Sequence, residues 1–242
     1  VGFAAEGELA PGMSFDSTKG IYAATDMTFE GVQLKSKTAR GIAKISNELL
    51  SSAANLDQAI TDAFSTGLAD AVDKAAIYSD GTANSLTGIV HTSGINGLSK
   101  GSDVNYIPYV KAIGAIRAAN GEPSIWGINA ATDTALNSLI AGDNNPLEVP
   151  SVVAGLTKRI SNNLRSTLAK DGTTTGDGDK TYNESLIFDP KAMVFGQQMG
   201  LTFNVSNVAL DALGTNCTYF AVCSYLDFAV LRPAFVSRIY GI

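Results

Sequence analysis

The stretch IAKISNELLSSAANLDQAITDAFSTGLADAVDKAAIYSDGTANSLTGI occupies residues 42–89 and carries the strongest structural pattern in the chain. Residues 42–46 are predicted to be extended, and an acidic turn at residues 47–50 follows. A long helix is predicted over residues 55–77, about 34 Å long at 1.5 Å per residue. The helix is expected to end before Asp80-Gly81-Thr82, where a glycine permits a left-handed backbone. Gly88-Ile89 completes the stretch.

Apolar residues at helical spacing support this helix. Asn55 is predicted to be its N-cap, with Gln58 three residues later in a capping-box arrangement. Small residues at the edge of the apolar stripe would let a sheet pack closely against it. The stripe consists of Leu56, Ile60, Ala63, Phe64, Leu68, Ala71, Val72 and Ala75.

The first 45 residues are predicted to form a long two-stranded hairpin. Residues 1–8 form a weak strand, residues 11–20 are a loop tip rich in Gly, Ser and Pro, and residues 28–37 alternate between apolar and polar. An isolated two-stranded hairpin is marginally stable in water. We therefore expect this one to lie on the body of its own molecule or on a neighbouring subunit.

The rest of the chain is predicted to mix helices and strands. A helix at residues 106–119 has Pro108 in its first turn and the apolar stripe Val110, Ile113, Ile116 and Ala119. A strand at residues 124–129 precedes a short helix at residues 133–140, capped by Thr132. Residues 171–180 are predicted to be a loop. Strands rich in aromatic and β-branched residues follow at 201–205, 218–225 and 228–231.

Several of these motifs together resemble the major capsid proteins of tailed bacteriophages, with the Hong Kong 97-type fold. In that family a strand ending in Ser-x-Glu-Leu-Leu leads into a "spine" helix, then Asp-Gly-Thr and Gly-Ile. The chain matches this order from Ser46 to Ile89. The strand with Trp126-x-x-Asn129 and the ending from Asp227 to Phe235 are also similar to the family pattern.

The resemblance implies an α+β fold divided into family domains. An extension loop would occupy residues 1–45. A peripheral domain would hold the spine helix in residues 46–100 and the C-terminal strands in residues 191–242. An axial domain would occupy residues 101–190. The implied function is a shell of hexamers and pentamers around viral double-stranded DNA, located in the virion and assembled in the cytoplasm of the host bacterium.

The composition fits a protein that covers its surface with copies of itself, and it fits an ordinary alanine-rich enzyme domain equally well. Of 242 residues 17% are charged, the net charge is −6 and the pI is about 4.8, whereas soluble domains average about 25% charged residues. Sequence-independent binding of nucleic acid needs Lys and Arg to neutralise phosphates. The chain is therefore expected to enclose DNA without wrapping it. No apolar run long enough for a membrane span is present.

The sequence indicates no catalytic, cofactor or metal site. His91 is the single histidine and is expected at the end of a strand. No phosphate-binding glycine loop or nucleophile elbow occurs. Cys217 and Cys223 would lie about 20 Å apart on one strand, too far for a disulfide, so free thiols are predicted. The expected function is not enzymatic. Two alternatives remain: an encapsulin-like nanocompartment shell, and a small monomeric α/β hydrolase or binding domain.

The predicted partners are further copies of the same chain. The resemblance implies portal, scaffold or protease, and decoration proteins as additional partners, and it implies no cofactor. Charged residues of the hairpin, of the turn before the spine helix and of the C-terminus are the candidate contacts between subunits. For those of the hairpin and the turn, the alternative is an ordinary solvated surface. They are Glu6, Glu8, Lys19, Lys35, Lys37, Arg40, Glu48 and Arg232.

Overall fold

The computed structural model of the protein describes residues 31–52, 56–82, 84–100, 105–140, 145–168, 172, 182–209 and 211–242. The chain divides into two compact units, Val1–Lys35 and Ser36–Ile242. In the first unit the described residues 31–35 belong to no strand or helix. The predicted strand at residues 1–8 and the loop tip lie outside the described residues. The strand predicted over residues 28–37 is wrong for residues 31–36, since the strand begins at Lys37.

The second unit contains strands and helices in mixed order. The strands are β1 (Lys37–Ser46), β2 (Asn96–Ser99), β3 (Ile125–Ile128), β4 (Thr157–Ile160), β5 (Glu184–Phe188), β6 (Met193–Ser206), β7 (Cys217–Val230) and β8 (Val236–Tyr240). The helices are α1 (Asn47–Ser52), α2 (Leu56–Tyr78), α3 (Ile107–Ala118), α4 (Ala130–Asn137), α5 (Ser151–Ala154) and α6 (Ala212–Thr215). The prediction of a mixed α+β fold is confirmed.

Within the described residues the strands form two sheets. One has the order β1-β7-β6 with antiparallel pairing. The other has the order β2-β8-β5-β3-β4, in which β2 pairs with β8, and β3 with β4, in parallel. This second sheet joins β2 and β8 to strands of the segment predicted to be axial. The division into peripheral and axial domains stays a prediction.

The long helix α2 is confirmed and packs against β1. Gly41 of β1 allows the contact, because a Cβ atom there would lie 3.5 Å from the Phe64 ring and 3.3 Å from Val222. Ile60 is buried, and Phe64 and Leu68 are half-buried. The predicted stripe is wrong at Ala63 and Ala71, which are exposed. The predicted cap, Asn55, lies outside the described residues.

Gly67 in the middle of α2 provides a direct test of helix propensity. Apart from the backbone of α2 itself and the two neighbouring residues, a Cβ atom added there would meet no atom within 4 Å. We expect Gly67→Ala to raise the free energy of unfolding by about 0.5–1 kcal/mol, because alanine loses less backbone entropy in a helix than glycine. Urea denaturation followed by circular dichroism measures this change. A lower stability would show that this part of α2 is not a regular helix in solution.

The core of the larger sheet is covered by α3. Tyr109, Ala112, Ile113 and Ile116 are buried, at the i, i+3, i+4, i+7 spacing of one helix face. The Tyr109 ring lies 5.2 Å from the ring of Trp126 in an edge-on arrangement. The predicted stripe had placed Val110 in the core, but Val110 is exposed and Tyr109 takes that position.

Three shorter predictions also have clear outcomes. Asn129, and not Thr132, caps α4, because its side chain accepts a hydrogen bond from the Thr132 backbone N–H. His91 lies in a 3₁₀ turn, Ile89–His91, and not at the end of a strand. Cys217 and Cys223 both lie in β7 and are free thiols, as predicted.

Candidate assembly surfaces

The Asp-Gly-Thr motif is a compact turn that ends α2. One carboxylate oxygen of Asp80 accepts hydrogen bonds from the Thr82 backbone N–H, the Thr82 hydroxyl and the Ser85 hydroxyl, at 2.8–3.1 Å. These bonds lower the pKa of the Asp80 carboxyl. Gly81 has a φ of +75°, which favours glycine. The turn therefore needs both the acid and the glycine.

Gly88 brings the chain back against the end of α2. Its backbone N–H donates to the Ser79 carbonyl at 2.7 Å. A Cβ atom on Gly88 would lie 2.7 Å from the carbonyl carbon and oxygen of Ile77. Glycine is thus required here by the close approach of two backbone segments.

A buried ion pair connects α2 to the larger sheet. Glu184 of β5 is fully buried, and its carboxylate accepts a hydrogen bond from Arg238 of β8 at 2.8 Å. The Tyr78 hydroxyl at the end of α2 donates to the same carboxylate. Burial raises the pKa of the Glu184 carboxyl, and Arg238 and the backbone N–H of Arg165 oppose that shift. Sequence patterns gave no indication of this network.

The network includes two further contacts. The Arg165 guanidinium lies 3.9 Å from the centre of the Tyr78 ring, and the Arg165 backbone N–H donates to the Tyr78 hydroxyl at 2.8 Å. Arg238 also donates to the Gly172 carbonyl at 2.9 Å. Burial lowers the pKa of Arg165, with a contribution from Arg238. These contacts hold the end of α2 in one position relative to β5 and β8.

Two grooves with apolar linings lie on the second unit. The first, about 270 Å³, lies between α2 and β1 and includes Leu68, Val72 and Leu86. The second, about 400 Å³, lies between the start of α3 and residues 147–150. Its apolar side chains include Ile107 and Val110, both exposed. We call this second surface the α3 groove.

Strand β6 carries another exposed apolar surface. Four of its apolar side chains are exposed: Phe195 (51%), Leu201 (39%), Phe203 (39%) and Val205 (62%). Exposed apolar side chains grouped on one strand mark an interaction site more often than isolated exposed side chains do. We call these four residues the β6 row.

The candidate contact residues do not converge on one site. Glu6, Glu8 and Lys19 lie outside the described residues. Lys35, Arg40 and Glu48 are exposed, the latter two on β1 and α1. Lys37 is half-buried, donates to the Ser85 carbonyl and lies 3.9 Å from Asp227. Arg232 stacks on Phe235, with 5.2 Å between the guanidinium and the ring centre.

An additional charged cluster, absent from the predictions, lies beside the β6–β7 connection. The Lys44 ammonium group is 2.7 Å from the Asp211 carboxylate, and the Tyr219 hydroxyl donates to the same carboxylate. Both hydrogen bonds, the one from Lys44 first, lower the pKa of Asp211. The alternation along β1 could have indicated that Lys44 is exposed, but not its partner 167 residues away.

The described residues contain no group of three or more His, Cys, Asp or Glu side chains placed to hold a metal ion. In the same part of the chain, none of the helices has the length and apolar character needed to cross a membrane. The features that stand out are exposed apolar surfaces and a reinforced helix–sheet junction. Exposed apolar surfaces are typical of proteins that associate with further chains.

The chain belongs to the phage capsid family, whose sequence pattern matches residues 8–238. It is a structural major capsid protein, and the resemblance seen in the sequence is confirmed. The family match favours this interpretation over both alternatives, the nanocompartment shell and the monomeric hydrolase. No curated protein matches the chain by sequence.

Solved structures show the same fold at low sequence identity. A structure from Gordonia phage Cozz is 18% identical, with 99% of this chain and 79% of that chain covered and a TM-score of 0.71. One from Microbacterium phage Oxtober96 is 10% identical, with 99% and 82% covered and a TM-score of 0.70. The capsid of a native GTA particle is 14% identical, with 92% and 78% covered and a TM-score of 0.68.

Proposed function

We propose that copies of this capsid protein gather into hexamers and pentamers that close into an icosahedral shell around viral double-stranded DNA. The observation that supports this most directly is the presence of two separate apolar surfaces, the β6 row and the α3 groove. A ring or shell requires heterologous contacts, in which two different surfaces of the same subunit meet.

The proposal assigns roles to the predicted domains. Residues 1–45 act as the extension loop that reaches a neighbouring subunit. Residues 46–100 and 191–242 form the peripheral domain, and residues 101–190 form the axial domain near the centre of each capsomer. Glu6, Glu8, Lys19, Lys35, Arg40 and Glu48 take part in contacts between subunits, and Lys37 and Arg232 contribute where their intramolecular contacts allow it.

The net charge of the chain determines how a shell of this protein interacts with the DNA inside it. A net charge of −6 repels phosphates, so the shell holds DNA by enclosure and not by counterion release. The protein carries out no chemical reaction in this function. It is located in the virion, and we propose assembly in the host bacterial cytoplasm with portal, scaffold or protease, and decoration proteins as partners.

Expression of the chain alone tests the proposal. We expect closed particles by electron microscopy and a fast-sedimenting species by analytical ultracentrifugation. A chain that stays monomeric at about 25 kDa at all concentrations would contradict the proposal.

Deletion of residues 7–26 tests the role of the extension loop. We expect the deletion variant to keep the circular dichroism spectrum of the folded chain but to form no closed particles, because those residues serve neighbouring subunits. Particle yield equal to that of the full chain would show that the hairpin is not needed for assembly. An unfolded variant would show that the hairpin belongs to the subunit's own core.

A further inference from the structure

From Thr202 to Ser206 the outer edge of β6 lacks the features that normally protect an edge strand. Edge strands present unpaired N–H and C=O groups, and proteins usually protect them with Lys, Pro, β-bulges or an overlying element. The 14 residues of β6, MVFGQQMGLTFNVS, include no charged residue and no proline. Within the described residues β6 pairs with β7 and has no strand on its other side.

The opposite edge of the same sheet differs. Strand β1 carries Lys37, Arg40 and Lys44 within its ten residues, and Arg40 and Lys44 are exposed. Charges of this kind discourage the addition of a further strand. The two edges of one sheet are therefore unequal, and β6 is the edge suited to accept a strand.

The β6 row would give such a strand an apolar surface to cover. Phe203 lies opposite Val222 and Val205 opposite Phe220 in the register of β6 and β7. Val222 lies on the sheet face that meets α2. A Cβ atom at Gly41 would contact both Val222 and the Phe64 ring of α2, so both side chains lie on that face. Phe203 and Val205 therefore share the α2 side of the sheet, yet they remain exposed on the outer strand.

The regular part of β6 defines the length of the acceptor. Irregularities in register fall between Gln197 and Met199 and between Met199 and Thr202, and bulges disrupt pairing locally. From Thr202 to Ser206 the register with β7 is continuous. This segment combines regular backbone geometry with two exposed apolar side chains.

We infer that the edge of β6 from Thr202 to Ser206 accepts an extended segment of a second copy of the chain by strand addition, with apolar side chains of that segment covering Phe203 and Val205. Strand addition supplies affinity through backbone hydrogen bonds and specificity through alternate side chains. The occupant is a second copy because the protein builds a shell of copies, and because an edge with no charge offers nothing to the phosphates of DNA. This inference rests on the proposed function.

A matched pair of lysine substitutions tests the inference. Val205→Lys places a charge in the β6 row, and Asn204→Lys places the same charge next to it on the other face. We expect Val205→Lys to reduce the fraction of chain in particles at least about tenfold, the effect of losing one central apolar contact. Asn204→Lys is expected to reduce it about threefold or less. Both side chains are exposed, so the melting curve of the unassembled subunit should change little for either variant.

Each result separates the inference from the function on which it rests. If the unmodified chain forms no particles, the proposed function fails and the inference fails with it. If the unmodified chain and Val205→Lys form particles equally well, the inference alone is wrong. An equal loss of particles for both variants also contradicts the inference. The inference places the contact with the second copy on the α2 side of the sheet, which holds Val205 and not Asn204.

Photo-crosslinking identifies the occupant directly. A benzophenone amino acid at position 205 would be irradiated in particles assembled from equal amounts of ¹⁴N- and ¹⁵N-labelled chain. Crosslinked peptides that combine both isotopes come from two copies and support the inference. Crosslinks confined to one isotope would mean that the segment belongs to the same chain, and a product with another protein, or no product, would equally overturn the inference.

Discussion

We expect Glu184→Ala to destabilise the subunit by about 3–5 kcal/mol, the range for removal of one partner from a buried ion pair. The substitution leaves the Arg238 guanidinium without its carboxylate, and the side chain of Arg238 is only 14% exposed. The Tyr78 hydroxyl loses its acceptor at the same time. For a domain of this size the melting temperature should fall by roughly 6–20 °C, measured by calorimetry on the unassembled chain.

Two further variants show whether burial is the cause. Glu122→Ala removes the carboxylate that lies 3.1 Å from Arg117 in an exposed pair, and we expect a change of at most about 1 kcal/mol. The double variant Glu184→Leu/Arg238→Met replaces both charges with apolar groups and should recover most of the loss. A Glu184→Ala variant as stable as Glu122→Ala would show that the buried pair contributes little.

The main helix could be predicted from sequence because its information is local. The apolar spacing of residues 56–75 and the Asp80-Gly81 stop signal gave the bounds of α2 to within one residue. Pro108 likewise indicated the start of α3. The face of α3 was less certain, since Tyr109 and Val110 are both apolar neighbours, and only the position of the sheet and the Trp126 ring determines which of them is buried.

The buried pair could not be predicted because it depends on sheet register. Glu184 and Arg238 are 54 residues apart, and β5 and β8 bring them together by antiparallel pairing in which Leu186 lies opposite Arg238. From the sequence alone, a single Glu at the start of an apolar strand fits an exposed strand end as well as it fits a buried ion pair. The start of β1 was misjudged for a related reason: residues 28–37 alternate well, but pairing with β7 begins only at Lys37.

For the assembly surfaces too, the sequence shows the composition of a segment but not its position in the sheet. The absence of charge in residues 193–206 is visible in the sequence. The order β1-β7-β6 makes this segment an outer strand, and α2 packs against the opposite edge strand, β1. Neither fact can be read from the sequence. The contacts predicted from the sequence are charged residues, whereas the exposed surfaces of the structure, such as the β6 row, are apolar.

The second large effect is expected at Gly88, where we predict that Gly88→Ala lowers the free energy of unfolding by about 3 kcal/mol, the upper part of the range for overpacking. The backbone angles of Gly88, φ −76° and ψ 163°, are open to any residue. The cost therefore comes from the contact alone. The new methyl group would lie 2.7 Å from the Ile77 carbonyl and 2.8 Å from the Ser79 nitrogen, and backbone atoms cannot move away by changing rotamer.

Gly67→Ala is the matched control for this substitution. It adds the same methyl group to α2 at a position where no atom beyond the helix backbone and the two neighbouring residues lies within 4 Å. The two variants should change stability in opposite directions in the same urea denaturation experiment. Gly88→Ala should also weaken the Gly88 N–H bond to Ser79, so hydrogen exchange should accelerate at the end of α2 before it does in α3. Equal stability of the two variants would show that the Gly-Ile part of the family motif is not held by this close backbone contact, and that its glycine needs another explanation.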